Sequence, residues 1–368
     1  MKNKIGISIK VIVLLLLFGA SIWLLGNDSV VFLKWWLAVL LLGIGYFPIT
    51  QKLFDGFLDK GWMLSKVFGV AGAGFLVWLF ANCKIPVFTR TGCLAFSVLS
   101  CLGIWGIWWL TAGKKQRKMT PVFNKQMINS ALDGEIVFVA IFLMWTYFAG
   151  FRPAAYGTEK FMDYGFMMTM MRCDTLPAKD LWYAGANLNY YYGGQYFAVF
   201  LTKLTGTQVA QTYNLMRTLV AGFAFALPFG LVRQMVLDRY GKPGKTRQKI
   251  AVFGGVLAGA GVSLAGNMHY VVIGKLLPWV RKILQLPESD YTYWFPNSTR
   301  YIGYYPAESD KTIHEYPSYS IVLGDLHAHV VNMMFVLALI CLMYAMVQKY
   351  KRIKKEEITF ELQNWKTL

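Results

Sequence analysis

Near residue 325 the sequence brings together side chains of the kinds that bind metal ions. Residues 324–329 read GDLHAH, and the pair His314-Glu315 lies shortly before them. Imidazole nitrogens and carboxylate oxygens suit Zn²⁺ or Mn²⁺, and carboxylates also suit Mg²⁺. Positions 325, 327 and 329 share one face only in an extended segment, since a helix aligns 325 with 329 alone. Histidines can also bind phosphate or carry protons. The pattern predicts a divalent-metal site with five candidate ligands: Asp325, His327, His329, His314 and Glu315.

Two acidic side chains spaced one helical turn apart form a second group. Residues 159–163 read EKFMD, so a helix would put Glu159 and Asp163 on one face. Such a pair can hold a divalent cation, or one acid can act as a general base while the other shifts its pKa. We therefore predict Asp163 and Glu159 as catalytic residues. The alternative is an ordinary helix start, with acids near its positive end.

A run of three tyrosines, Tyr190, Tyr191 and Tyr192, is followed by two glycines. Tyrosine rings can stack on a sugar and their hydroxyls can orient a phosphate, while glycines allow close approach to the backbone. We predict these tyrosines as substrate-binding residues, with Arg300 and Lys311 as partners for an anion. The alternatives are tyrosines of an ordinary membrane interface and ordinary surface charges.

The composition indicates what kind of protein positions these residues. Of the 368 residues, 56% are hydrophobic and only 15% are charged, which is rare in a soluble protein of this length. The net charge of +18 comes mainly from Lys and Arg in short segments between apolar runs, where they orient helices and meet lipid headgroups. We therefore expect membrane lipid and no nucleic acid as a partner. The five cysteines are an odd number without a CxxC spacing, and they imply no disulfide framework.

Eight apolar segments approach the roughly 20 residues that a helix needs to cross a bilayer. They lie at about 11–26, 31–49, 66–82, 92–111, 132–150, 212–232, 250–266 and 329–348. The connections that would then lie inside carry 23 of the 37 Lys and Arg residues, so we predict that both termini are cytoplasmic. Residues 193–206 form a shorter apolar segment that Lys203 interrupts, which predicts an amphipathic helix on the outer membrane surface.

The spans divide this predicted all-α polytopic membrane protein into three parts. Residues 1–130 form an N-terminal four-helix membrane region, residues 131–348 a second membrane region, and residues 349–368 a basic cytoplasmic tail. The second region contains two long outer loops, loop A (151–211) and loop B (267–328). Ten of the 19 acidic residues lie in these loops, and all four histidines lie in loop B or at its end. Long loops are often functional, so we expect the chemistry there.

Four motifs together resemble the polytopic membrane proteins named for their YYY motif, a family defined as a domain of unknown function. The motifs are EKFMD, the segment from Pro177 through NLNYYYGG, YWFPNSTRYIG, and DKTIHEYPSYSIVLGDLHAHV. The resemblance covers about residues 132–348, and residues 1–130 match only as generic spans.

That family in turn looks like a distant relative of the GT-C glycosyltransferases, which take sugars from polyprenyl-phosphate carriers on the outer membrane face. GT-C enzymes place acidic residues in the first long outer loop, followed by a surface helix and a further span. Glu159 and Asp163, then 193–206, then 212–232 follow this layout. GT-C members continue through more spans, so we expect this chain to be a shortened member or a fragment.

The resemblance implies a GT-C-like glycosyltransferase that uses a polyprenyl-phosphate-linked sugar. Asp163 would deprotonate the acceptor hydroxyl, and Glu159 would assist it or bind metal. A divalent cation, or Arg300 and Lys311, would stabilise the phosphate leaving group. The remaining side of the site would be formed by the five loop B residues His314, Glu315, Asp325, His327 and His329.

Three alternatives remain open. A transporter or flippase of a lipid-linked substrate would need ionisable residues inside the spans, where the sequence has chiefly Lys34, Arg217, Asp133 and Glu135. A metal-dependent hydrolase would use the histidines. The third alternative is a non-catalytic envelope assembly protein, which would need neither ionisable residues in the spans nor the histidines.

Overall fold

The fold is all-α, as predicted. A computed structural model describes residues 2–112, 123–240, 244–288, 293–304 and 306–366, in which 74% of the residues are helical and no strand is present. The helices, in chain order, are α1 (Lys2–Leu25), α2 (Ser29–Leu53), α3 (Trp62–Asn82), α4 (Arg90–Thr111), α5 (Lys125–Ala149), α6 (Lys160–Met171), α7 (Gly193–Thr205), α8 (Val209–Tyr240), α9 (Lys245–Ser263), α10 (His269–Val271), α11 (Leu277–Ile283), α12 (Pro317–Leu323) and α13 (Ala328–Lys366).

Six stretches of the described chain are long and apolar enough to cross a membrane. They are Gly6–Leu53, Trp62–Asn82, Arg90–Thr111, Lys125–Ala149, Val209–Tyr240 and Ala328–Glu356. The first contains both of the first two predicted segments, because only the 3-10 turn Gly26–Asp28 separates α1 from α2. α9 covers most of the predicted segment at 250–266, but it begins with basic residues and is not among the six. The polytopic membrane architecture is confirmed.

α8 is the central helix of the bundle. It packs against α5, α9 and α13, and most of its length is buried. The predicted division at residue 130 does not interrupt the core, since α1 packs on α5, and α2 and α3 contact α7 and α8. The stacked rings of Phe32 and Phe142, with centroids 4.4 Å apart, join α2 to α5 in one continuous core.

α7 is helical as predicted, but it lies inside the bundle and not exposed on a surface. It contacts α2, α3, α4, α6, α8 and α13, and Lys203 is only 5% exposed. The Lys203 ammonium donates to the carbonyl of Cys173 at 2.6 Å and to that of Phe88, and it lies 3.7 Å from the centroid of the Phe88 ring. These carbonyls satisfy the charge that would otherwise exclude the helix from the interior.

Five charged residues of the spans form ion pairs with one another. Lys66 of α3 forms an ion pair with Glu135 of α5, and both side chains are buried. Asp133 bridges Lys10 at 2.5 Å and Arg233 at 3.0 Å. Because a charge in a low-dielectric interior is costly without a partner, these pairs tie α1, α3 and α8 to α5.

Candidate functional site

Loops A and B meet at Asp163, which is 1% exposed. Its Oδ1 accepts a hydrogen bond from Gln195 Nε2 at 2.7 Å, and its Oδ2 accepts one from the backbone N–H of Leu326 at 3.0 Å. Asp163 lies in the first turn of α6, Gln195 in α7, and Leu326 in the non-helical link between α12 and α13. The site therefore lies where α6, α7 and α13 begin.

The link between α12 and α13 exists because Gly324 ends α12 with a φ of +91°. This left-handed conformation is strained for a residue with a Cβ. The non-helical residues that follow place Asp325 and His327 against loop A, whereas His329 lies in the first turn of α13. The segment is thus neither wholly extended nor wholly helical, the two cases considered from the sequence.

His327 faces the acids of both loops. Its Nε2 lies 3.1 Å from Glu159 Oε2, 3.8 Å from Asp325 Oδ2 and 4.0 Å from Asp163 Oδ2. Glu159 precedes the first residue of α6, and Asp163 follows one turn later, so the helix aligns the two acids as predicted. Three carboxylates around one nitrogen mark a place where positive charge is stabilised.

Burial raises the pKa of Asp163 to about 6, and the nearby Asp325 carboxylate acts in the same direction. His327 and the hydrogen bonds from Gln195 and Leu326 oppose the shift without cancelling it. A carboxyl group that titrates near neutral pH can accept a proton in one step and release it in the next, which is the requirement for a general base.

Asp325 is oriented by loop A. Its Oδ1 accepts a hydrogen bond from the hydroxyl of Thr158, which has a φ of +50° and follows Gly157, at +81°. Burial raises the pKa of Asp325, while the Thr158 hydroxyl and His327 oppose that shift. The tight turn at 157–158 therefore presents a hydroxyl to a loop B carboxylate.

Three of the five predicted metal ligands come together. Donor atoms of Glu315, His327 and His329 lie within 4.8 Å of one another. His329 Nε2 is 3.3 Å from Glu315 Oε2, which also accepts a hydrogen bond from Ser320 Oγ at 2.7 Å. Burial acts to raise the pKa of Glu315, but the hydrogen bonds from His329 and Ser320 outweigh it and lower that pKa. An ionised carboxylate and two imidazoles are a donor set that fits Zn²⁺ or Mn²⁺.

The other two predicted ligands lie differently. The nearest contact of Asp325 is the Thr158 hydroxyl, as described above. His314 belongs to a separate part of loop B, where its backbone N–H donates to the Thr299 carbonyl at 3.2 Å and its ring centroid lies 6.1 Å from that of Tyr301.

The three tyrosines line a cavity of about 400 Å³ between α3 and α7. The rings of Tyr190 and Tyr191 have centroids 3.9 Å apart, and the Tyr190 hydroxyl donates to that of Tyr191 at 2.5 Å. Phe75, Trp78, Tyr196 and Phe197 form much of the remaining wall. Tyr190 also lies 5.6 Å, between centroids, from Phe166, which is on the same helix as Asp163. The aromatic cavity thus adjoins the helix that carries the buried acid.

The second of the two glycines after the tyrosines, Gly194, has a packing role. A Cβ on Gly194 would lie 3.2 Å from Ala328 Cα and 3.2 Å from Val331 Cγ2. Gly194 therefore allows α7 to approach the first turn of α13, which holds Gln195 close to Leu326.

The two predicted anion partners make contacts within their own parts of loop B. Arg300 Nη1 donates to the Pro296 carbonyl at 2.7 Å, and its guanidinium lies 5.3 Å from the centroid of Trp294. The Lys311 ammonium lies 5.4 Å from the centroid of the Tyr304 ring.

Two further cationic side chains lie near the carboxylates of Asp163, Glu159 and Asp325. Lys160, the first residue of α6, and Arg217 of α8 both point to Gly324. Neither residue was predicted from the sequence as part of the site. The signal for Arg217 was its charge within an apolar span, which by itself suggests a functional residue. Lys160 lies inside the EKFMD motif, and Gln195 directly follows the glycines of the YYYGG motif.

A family model described as an uncharacterized membrane protein, DUF2298, matches residues 73–363. The match is wider on both sides than residues 132–348, where the motifs carry the resemblance. It supports a membrane domain of unknown function, and its description states no activity. No curated protein and no solved structure matches the chain. Since the family model covers well over half of the sequence, the chain belongs to this family of uncharacterized membrane proteins.

Proposed function

We propose that the protein is a membrane-embedded glycosyltransferase that takes a sugar from a polyprenyl-phosphate carrier, with Asp163 as the general base. The observation that carries the proposal is the buried Asp163 carboxylate, which two hydrogen bonds hold in place and whose pKa is raised to about 6. Its helix adjoins an aromatic cavity of about 400 Å³, a size suited to a sugar or part of a lipid chain.

In the proposed reaction the acceptor hydroxyl gives its proton to Asp163 as its oxygen bonds to the anomeric carbon of the sugar. The bond between that carbon and the phosphate oxygen breaks, and the phosphate leaves with the electron pair. The carboxylates of Glu159 and Asp325 lie beside His327 and would hold its imidazole oriented toward Asp163. The tyrosine wall would stack on the sugar.

The proposed orientation follows from the basic connections between spans. Both termini would be cytoplasmic, which puts the ends of α5, α8 and α13 that carry the site on the outer face. The polyprenyl chain would lie in the bilayer beside the aromatic cavity.

The test is transfer from a panel of polyprenyl-phosphate hexoses, assayed with the full chain in lipid nanodiscs. We expect Asp163→Asn to lower the transfer rate by about 10²-fold or more, because an amide cannot accept the proton. Asp174→Asn is the matched control, since Asp174 is an exposed acid of the same loop. Equal amounts of folded protein must be confirmed by size-exclusion profiles. Unchanged transfer by Asp163→Asn would exclude the proposed base.

A metal-dependent hydrolase is the second candidate, and the cluster of Glu315, His327 and His329 favours it. These residues would hold a divalent metal, which supplies Lewis-acid chemistry when bound. Release of free sugar from the same donors without any acceptor, at a rate that depends on added metal, would favour hydrolysis over transfer.

A further inference from the structure

Two cationic side chains converge on Gly324, beside the carboxylate cluster. The point that a Cβ of Gly324 would occupy lies 2.9 Å from Arg217 Nη1 and 3.2 Å from Lys160 Nζ. Because Gly324 has no side chain, both charges border the same small space.

Arg217 is held rigidly in this position. The residue is 6% exposed, its Nη1 donates to the Ile321 carbonyl at 2.5 Å, and its Nη2 donates to Asn214 Oδ1 at 2.7 Å. Its Nε is buried and has no hydrogen-bond partner among the described residues. A buried guanidinium with an unused donor is costly. A ligand that supplies a hydrogen-bond acceptor would remove this cost.

Lys160 provides a second positive charge. Within the described ranges its ammonium has no hydrogen bond or ion pair, although it is close enough to Asp325, Arg217 and Arg152 to interact with their charges. Burial lowers the pKa of Lys160 and the two arginines act in the same direction, while Asp325 opposes them. Lys160 also begins the helix α6, whose N-terminal dipole adds to the positive potential.

The site is therefore divided by charge. Asp163 and Glu159 face His327, whereas Lys160 and Arg217 approach Gly324. Asp325 lies between the two groups, 3.8 Å from His327 and close enough to Lys160 and Arg217 to attract their charges. A transferase needs this separation, since one side must accept a proton while the other stabilises a leaving anion.

We propose that Lys160 and Arg217 bind the phosphate group of the donor, in place of the Arg300 and Lys311 predicted from the sequence. The inference rests on the proposed function and adds the residues that recognise the leaving group. A planar guanidinium and an ammonium are the side chains best suited to phosphate oxygens. The shared chemistry is a phosphate monoanion or dianion, whether on a lipid or free in solution.

The test is direct binding, without acceptor, by the full chain in nanodiscs. The probes are farnesyl phosphate, farnesol and inorganic phosphate. We expect Lys160→Gln to weaken farnesyl phosphate binding about tenfold or more, the effect of one charge-assisted hydrogen bond, and to leave farnesol binding unchanged. Lys179→Gln is the matched control, because Lys179 is an exposed lysine of the same loop. Lys160 is half-buried, so its substitution is tolerated better than that of the buried Arg217.

Competition between the probes distinguishes a lipid-linked phosphate from free phosphate. If millimolar inorganic phosphate displaces farnesyl phosphate, the site recognises the phosphate group alone. If farnesyl phosphate is not displaced, the site is specific for the lipid-linked form. Equal affinity of wild type for farnesyl phosphate and farnesol would overturn the proposal. So would wild-type affinity in Lys160→Gln together with lost affinity in Lys311→Gln.

This measurement is independent of catalysis. If Lys160→Gln loses phosphate binding but Asp163→Asn retains transfer, the phosphate site stands and the proposed base fails. If Asp163→Asn loses transfer but Lys160→Gln binds normally, the base stands and this assignment fails.

Discussion

The amide of Gln195 donates a buried hydrogen bond to Asp163 across 2.7 Å, and the same Nε2 donates to the Leu326 carbonyl at 2.8 Å. One side chain of α7 thus joins the acid of loop A to the backbone of loop B. It also stabilises the ionised form of Asp163, because an N–H donor favours the charged carboxylate.

The first prediction concerns pH. With the pKa of Asp163 near 6, transfer should fall as the pH drops through about 6, since the base becomes protonated. Gln195→Leu removes a donor to the carboxylate and should move this acid limb to higher pH. The measurement is the transfer rate between pH 4.5 and 8 for both proteins. Gln211→Leu is the control, because Gln211 donates to the exposed Asp28. An acid limb that stays in place would contradict the role of Gln195.

The same shift has a consequence for stability. Asp163 binds its proton more tightly in the folded chain, where the pKa is about 6, than at the ordinary value of 3.8. The folded state therefore holds a proton that the unfolded state releases within this window, and the stability from this group falls as pH rises from about 4 to 6. Asp163→Asn should remove that part of the pH dependence, as measured by thermal unfolding in detergent.

The second prediction concerns Gly324. Gly324→Ala would combine a φ of +91° with a Cβ 2.9 Å from Arg217 Nη1. We expect a loss of about 1–3 kcal/mol in unfolding free energy, seen as a lower Tm. Gly261→Ala is the control, because Gly261 lies within α9 with no atom within 4 Å of its Cβ position. That change should be neutral or slightly stabilising. Equal Tm values for the two variants would refute the strain argument.

The third prediction concerns metal. Isothermal titration of Mn²⁺, Zn²⁺ and Mg²⁺ into the purified protein should show one site that Glu315→Gln or His329→Ala abolishes. His314→Ala should retain binding, because His314 packs near Tyr301 in another part of loop B. Loss of binding in His314→Ala alone would favour the ligand set predicted from the sequence over the cluster seen in the structure.

The fourth prediction concerns the buried ion pair of α3 and α5. Glu135→Gln leaves the Lys66 ammonium buried without its counter-charge and should cost about 3–5 kcal/mol. Trp62 Nε1, which donates to Glu135 Oε1 at 2.7 Å, would lose its charged acceptor as well. The double change Lys66→Met with Glu135→Leu should recover much of the loss. Asp55→Asn, in an exposed pair with Arg352, should cost less than about 1 kcal/mol. Unfolding in graded SDS compares the four proteins.

The architecture could be predicted because membrane spans are set by local composition. Runs of apolar residues near the length of a bilayer must form helices. The predicted segments at 212–232 and 329–348 lie within α8 and α13, and the segment at 132–150 extends one residue past the end of α5. The spacing of Glu159 and Asp163 likewise predicted their common orientation, since it depends on one helical turn.

Features that depend on distant partners could not be predicted. Lys203 pointed to a surface position for α7, because the carbonyls of Phe88 and Cys173 that satisfy it come from other parts of the chain. For the same reason Arg300 and Lys311 were as plausible as Lys160 in the sequence. Only the folded structure shows that Lys160 and Arg217 are the cations next to Gly324.

α13 carries His329 in its first turn and, without interruption, Arg352 on a later turn, where it pairs with Asp55 at 2.7 Å. At the rise of an α-helix these two residues are about 35 Å apart along one axis. Any rotation of α13 about that axis turns both side chains through the same angle. A spin label placed beside Asp55 would therefore sense, from the opposite membrane face, whether His329 has moved to engage a ligand.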